Sequence, residues 1–248
     1  MRPLLRWLVL VTFAALALQL FFVGRIALML VVAPESTAFE RSEAWRLLTT
    51  TDLQLRWQQR WVPYNQISDH LKRAVIASED GTFTNHDGVD WEALEKAWQK
   101  NEKAQERAAK QAAPAKSKVT VVPKPPKVIG GSTITQQLAK NLLLSGERTL
   151  LRKGQEFVLT LLLEHMLDKQ RILEIYLNNV EWGEGVFGAE AAAQHYFRKP
   201  ASRLSAFEAA RLAVMLPRPK YFEKLPNSGY LSSRAVTIVA RMGSADLP

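Results

Sequence analysis

Apolar residues run from Trp7 to Gly24, broken only by Thr12 and Gln19, and resume after Arg25 from Ile26 to Ala33. A hydrocarbon core takes roughly 20 residues of helix, so the stretch predicts one membrane-spanning helix. Arg25 then falls near the far interface, its long stem reaching outward. Arg2, Arg6 and the terminal amine precede the span, and the positive-inside rule puts them in the cytoplasm and residues after about 34 beyond the membrane. A cleaved signal peptide is the alternative, because Val31-Val32-Ala33 has small-residue character. The apolar length, the interruption at Arg25 and Pro34 after the cut argue against it.

Beyond this anchor the pattern becomes helical and amphipathic. Residues 35–66, with Trp45, Trp57 and Trp61, predict a short helix and an extended connector ending near Pro63. Ser68 suits a helix N-cap, and Leu71, Ala74, Val75 and Ser78 follow at helical spacing up to Glu79-Asp80-Gly81. A helix is expected from Trp91 to about Ala109; the stretch Gln111–Lys127, with Pro114, Pro123, Pro125 and Pro126, cannot extend it. Next, Thr133 and Gln136 form a capping box, with Ile134, Leu138 and Leu142 on one helical face and Thr133, Gln137 and Lys140 on another. Further helices are expected over Leu150–Asp168, Lys169–Asn178, Glu190–Phe197 and Ala206–Met215, the last ended by Pro217 and Pro219. Almost no alternating strand pattern occurs. The expectation is a mainly α protein: residues 1–34 as cytoplasmic start and transmembrane anchor, 35–66 as connector, and 67–248 as one helical domain carrying a basic, Pro-rich insertion at about 101–127.

With 248 residues, 47% hydrophobic and 23% charged, the chain can bury a sizeable core and is not disordered as a whole. It has no cysteine, which excludes disulfides, a thiol nucleophile and thiolate metal sites. His70, His86, His165 and His195 show no ligand spacing and are expected to pack or hydrogen-bond. The net charge of +9 is local. It comes from Arg2, Arg6 and Arg25, and from eight Lys or Arg in residues 100–127 against Glu102 and Glu106. No basic face for nucleic acid is left in the remainder, so nucleic acid is not an expected partner. The basic run would be drawn to an anionic bilayer surface, or be a solvated insertion.

Glu79 and Asp80 end a helix, where negative charge opposes the macrodipole, so helix stability does not account for them. A second carboxylate, Glu156, sits one turn after Arg152 and Lys153, either as a surface pair or as part of a site. Two separated carboxylates with flanking cations fit glycosyl chemistry on an anionic donor.

As motifs, these segments resemble the glycosyltransferase family 51 domain of peptidoglycan polymerases, particularly its monofunctional biosynthetic members. Residues 79–88 (EDGTFTNHDG) are similar to the family's E-D-x-x-F-x-x-H-x-G, and Gly131 to Asn141 to its G-S-T-I-x-Q-Q-x-x-K-N with Thr135 in a position often held by Ser. Residues 152–156 match R-K-x-x-E, residues 169–178 match K-x-x-I-L-E-x-Y-L-N, and Gly188 to Lys199 resembles the motif ending Y-F-x-K. The five motifs stand in the family's order, over roughly residues 60–220, with no room left for a transpeptidase domain. Only the stretch from Asn101 to Lys127 departs from the pattern, being longer than usual in the region of the family's mobile lid.

The resemblance implies a lysozyme-like helical domain behind one N-terminal transmembrane helix, single-pass in a bacterial inner membrane with the catalytic domain periplasmic. It implies inverting polymerisation of lipid II into glycan strands, releasing undecaprenyl pyrophosphate, for cell-wall biogenesis and cell shape. Glu79 is then the general base and Glu156 assists the pyrophosphate leaving group, directly or through a divalent cation, magnesium or manganese, whose requirement the resemblance leaves open. Arg152, Lys153 and Lys140 hold negative charge; Thr133, Gln136, Gln137 and Asn141 shape the sugar and phosphate subsites; Asp80, Phe83 and His86 support the base and its loop on the substrate side. Lipid II, the growing lipid-linked glycan and the inner membrane are the implied partners, with cell-wall synthesis or division proteins as further candidates. A lytic enzyme of similar fold would lack the R-K-x-x-E and Q-Q-x-x-K-N helices, and a non-catalytic lipid-binding scaffold would leave Glu79 and Glu156 without a purpose.

Overall fold

A computed structural model of the chain describes residues 2–50, 57–112, 131–144 and 149–248. Helices α1 (Arg2–Leu28) and α2 (Ala38–Thr50) lead into α3 (Asp69–Glu79), α4 (Trp91–Ala112), α5 (Ile134–Leu143), α6 (Leu150–Met166) and α7 (Lys169–Asn179). Then come α8 (Ala189–Phe197), α9 (Ala206–Met215), the short α10 (Pro219–Glu223) and α11 (Gly229–Arg241). The expected helices are present. The basic insertion remains helical up to Ala112, and the rest of it, from 113 to 127, lies outside the described residues.

The core is built from α3, α5, α7, α9 and α11. α3 fits between α9 and α11 through Leu71, Ala74 and Val75, all with no exposed surface, and small residues on α9 (Ala209, Ala210, Ala213) let the helices approach. The periodicity left α11 unassigned; it closes the core with Leu231, Ala235 and Ile238.

The Gly-rich segment after α7 is a hairpin, β2 (Glu181–Gly183) and β3 (Val186–Phe187), whose β3 pairs in parallel with β1 (Gln58–Gln59). Strands this short carry too few residues to leave an alternating signature. Gly188 has φ +83°, and a Cβ there would lie 2.6 Å from the Asn178 carbonyl oxygen, so only glycine fits.

α1 is long and apolar enough to cross a membrane, most of its side chains being exposed. Its last turns nevertheless belong to the domain: Phe22, Ile26 and Met29 are buried in the core, and the Gln19 and Gln155 amides exchange hydrogen bonds of 3.0 and 3.2 Å. Arg171 donates to the carbonyls of Met29 and Val32, and Arg25 to that of Ser36. The segment expected as a connector is also built in, since α2 packs on α5 and β1 joins the sheet.

Candidate active site

Glu79 ends α3 and faces a cavity of about 250 Å³ closed by α4 and by Gly131, Ser132 and Thr133. Burial pushes the Glu79 carboxyl up from its usual range and neighbouring Asp80 adds to this, while hydrogen bonds from Gln137 and Ser78 pull it back. Gln137, one turn into α5, donates from Nε2 to Glu79 Oε2 at 3.0 Å. Behind it, the fully buried Tyr176 of α7 donates its hydroxyl to Gln137 Oε1 at 3.0 Å.

Asp80 explains the acidic helix end. Its Oδ2 accepts the Ile134 backbone N–H at 3.0 Å, so the charge that opposes the α3 dipole sits on the positive N-terminus of α5. Its Oδ1 lies 2.8 Å from His86 Nε2, and His86 Nδ1 accepts the Gly88 N–H. That second bond puts the imidazole proton on Nε2 in the neutral ring, directed at Asp80. The loop closes where Thr133 donates to the Gly88 carbonyl at 2.6 Å. Gly88 has φ +83°, and a Cβ would come within 2.7 Å of Thr160 and Glu164.

The other face of Gln137 opens into a second cavity, of about 470 Å³, bounded by α2 on one side and by Lys140, Asn141, Arg152 and Glu181 on the other. Glu79 lines the first cavity and Gln137 the second, so the hydrogen bond between them links a wall of one to a wall of the other. The first carries Glu79, Asp80 and Asp90 with Lys96 and Lys100; the second is dominated by Lys140 and Arg152. Arg152 Nε is buried with no partner among the described residues, a donor beside this space. Glu156 is 4% exposed, with Lys153 on one oxygen and Arg152 Nη1 3.4 Å from the other.

The candidate residues therefore divide. Glu79 lines the first cavity and Gln137, Lys140, Asn141 and Arg152 the second, and Asp80 and Thr133 bound the first while holding its walls together. Phe83 has no exposed surface and His86 faces Asp80, and neither lines the two cavities. Gln136 turns its side-chain oxygen back onto the Thr133 N–H, completing the capping box, and lines neither cavity. Glu156 lines neither cavity; it aligns Arg152 and Lys153. Because both its oxygens already face cations, it offers a divalent ion no vacant carboxylate, and among the described residues no group of three His, Asp or Glu could hold a metal.

A family model described as "Transglycosylase" matches residues 46–111 and 111–243, most of the chain. The chain belongs to the transglycosylase family. With it goes the lysozyme-like character of the helical domain. Among similar curated proteins, the biosynthetic peptidoglycan transglycosylase of Burkholderia thailandensis is 53% identical over 95% of this chain and 84% of its own length. That of Herminiimonas arsenicoxydans is 51% identical over 100% of this chain and 99% of its own. The Burkholderia pseudomallei protein of the same description is 51% identical over 100% of this chain and 90% of its own.

Three residues of this transglycosylase site carried no signal from spacing alone. Glu181 is buried at the far wall of the second cavity, where desolvation raises its carboxyl to about 7 against the pull of Lys220. Glu164 accepts from Thr135 at 2.5 Å and pairs with Lys169, bracing α5 and α7 on α6. Tyr176 lies within the apolar run of α7, where its hydroxyl is indistinguishable in sequence from a core aromatic.

Proposed function

We propose that this protein, a peptidoglycan transglycosylase, polymerises lipid II into glycan strands at the outer face of the inner membrane, with inversion and release of undecaprenyl pyrophosphate. The observation that carries the reading is the Glu79–Gln137 hydrogen bond, which ties a cavity lined by a buried carboxyl to a second one lined by Lys140 and Arg152.

The 4-hydroxyl of lipid II sits at Glu79 and the lipid-linked end of the growing chain in the cationic cavity. The acceptor oxygen bonds to the donor's anomeric carbon as the bond from that carbon to the pyrophosphate oxygen breaks, so one displacement inverts the centre. The hydroxyl proton passes to a Glu79 oxygen. A carboxylate is too weak a base to remove it first, so transfer accompanies attack. Lys140 and Arg152 hold the charge developing on the leaving pyrophosphate, Arg152 being pre-set by Glu156 so that little reorganisation is needed.

α1 supplies proximity, since enzyme and lipid-linked substrate share one membrane. Arg2 and Arg6 before the span support a cytoplasmic N-terminus and a periplasmic domain. Exposed Leu150, Leu151, Val158 and Leu161 on α6, which packs beside α1, support a domain resting on the bilayer.

Purified full chain given lipid II in vesicles is expected to form glycan strands resolvable on a gel. Glu79→Gln, which keeps shape but cannot accept the proton, is expected to lose about 10²- to 10⁴-fold in rate. Lys140→Ala is expected to weaken donor binding as well as rate. A wild-type protein that shortens preformed strands and ignores lipid II, or a Glu79→Gln variant near wild-type rate, refutes the assignment.

A further inference from the structure

The Gln137 amide is the hinge of a three-residue relay. An amide can present either its NH2 or its carbonyl to Glu79, and the two faces select opposite protonation states. With Nε2 toward Glu79, as here at 3.0 Å, the amide stabilises the ionised carboxylate; with Oε1 there, it accepts a hydrogen bond only from the protonated acid. What decides is the other end. Oε1 points into the core, and the donor that meets it is the Tyr176 hydroxyl at 3.0 Å, on a residue 1% exposed. If that hydroxyl is removed, either orientation leaves one end of the amide buried without a partner, Oε1 in the first and Nε2 in the second, so the preference for the first is lost and the second, in which Oε1 accepts from protonated Glu79, becomes accessible.

We propose that Tyr176 is a positioning residue for the base, its hydroxyl locking the Gln137 amide in the orientation that keeps Glu79 able to accept a proton. It touches no substrate. The inference rests on the general-base reading of Glu79 and adds to it the device that opposes the desolvation raising that carboxyl. Among the described residues lining the first cavity, the other charged groups are Asp80 beside Glu79 and Asp90, Lys96 and Lys100 across from it, and the bond at the far end of the amide is made by Tyr176. Tyr176 cannot serve as an acid itself, since burial and the nearby Glu79 and Asp80 push its hydroxyl well above the ordinary tyrosine range.

The test is Tyr176→Phe in the full chain, with glycan synthesis from lipid II measured across pH. The acidic limb of the rate profile is expected to move up by about one unit, giving up to a tenfold loss below the limb and a much smaller loss on the plateau. Independently of turnover, the Glu79 carboxyl followed by carbon NMR in glutamate-labelled protein is expected to titrate at higher pH in the variant. Should Tyr176→Phe fold poorly, 3-fluorotyrosine at position 176 tests the same bond with the volume nearly kept; its stronger donor is expected to move the limb down. Unchanged carboxyl titration and limb with a lowered melting point would reduce Tyr176 to a core residue and overturn the relay. Wild-type protein inactive on lipid II would instead defeat the polymerase reading, and the NMR titration would still decide whether the relay exists.

Discussion

Asp80→Asn separates the structural work of the acidic pair from its chemistry. The Asp80 side chain is 2% exposed and spans two elements, accepting from the α5 N-terminus at 3.0 Å and from His86 at 2.8 Å. In the variant, the remaining carbonyl oxygen can still accept the Ile134 N–H. The new NH2 then faces His86 Nε2, whose proton cannot move to the other nitrogen because Nδ1 is occupied by the Gly88 N–H. Two donors are left opposed where a charge-assisted bond stood, a change of about 2 kcal/mol given that bonds to charged groups contribute about 1.5–3. For a chain of this size that lowers the melting midpoint by about 4–8 °C. Asp80→Ala, which also leaves the Ile134 N–H without its acceptor, is expected to fall further, by about 1 kcal/mol more. Thermal melts by circular dichroism at one scan rate in one detergent would measure both. Because Asp80 and His86 act through one bond, the Asp80→Asn/His86→Ala double variant should melt no lower than the sum of the singles less the shared interaction. An Asp80→Asn midpoint within about 1 °C of wild type, or strictly additive singles, would refute the clamp.

Three further outcomes follow from the same geometry. Burial raises the Glu79 carboxyl, so its contribution to folding is complete below the unfolded-state value and is lost as pH rises through the folded one; Glu79→Gln is therefore expected to gain melting temperature over wild type, more at pH 8 than at pH 5. Gly88→Ala is expected to cost about 2 kcal/mol or more, through its φ of +83° and the 2.7 Å approach to Thr160 and Glu164, and denaturant unfolding would register it. Ile26→Ala, although in the anchor helix, is expected to destabilise the domain by about 2–4 kcal/mol because Ile26 has no exposed surface; unaltered unfolding of the domain would mean that the anchor's end does not pack on it.

The sequence by itself determined most of the helices from α1 to α9, where several begin, and which residues line the cavities at fixed spacing within short motifs. Helix periodicity and caps are local, so Ser68, Thr133 and the faces of α3 and α5 were readable from neighbours a few positions apart. The motif residues Glu79, Gln137, Lys140 and Arg152 were legible for the same reason, as fixed spacings within short segments. The partner each one has was not, because a hydrogen bond across 54 positions, such as Ile134 to Asp80, leaves no trace in either segment alone. Two carboxylates that looked alike in spacing were given different work by packing: Glu79 was turned into a cavity, and Glu156 was enclosed by its own helix's cations. The end of the anchor could not be told from lipid-facing helix, since Phe22 and Ile26 are as apolar as residues exposed to a bilayer, and only the contact with α6 made them core. Tyr176 shows the limit most plainly. The hydroxyl at the edge of an apolar stripe acquires direction only when α5 lies against α7 and sets a glutamine amide between it and Glu79.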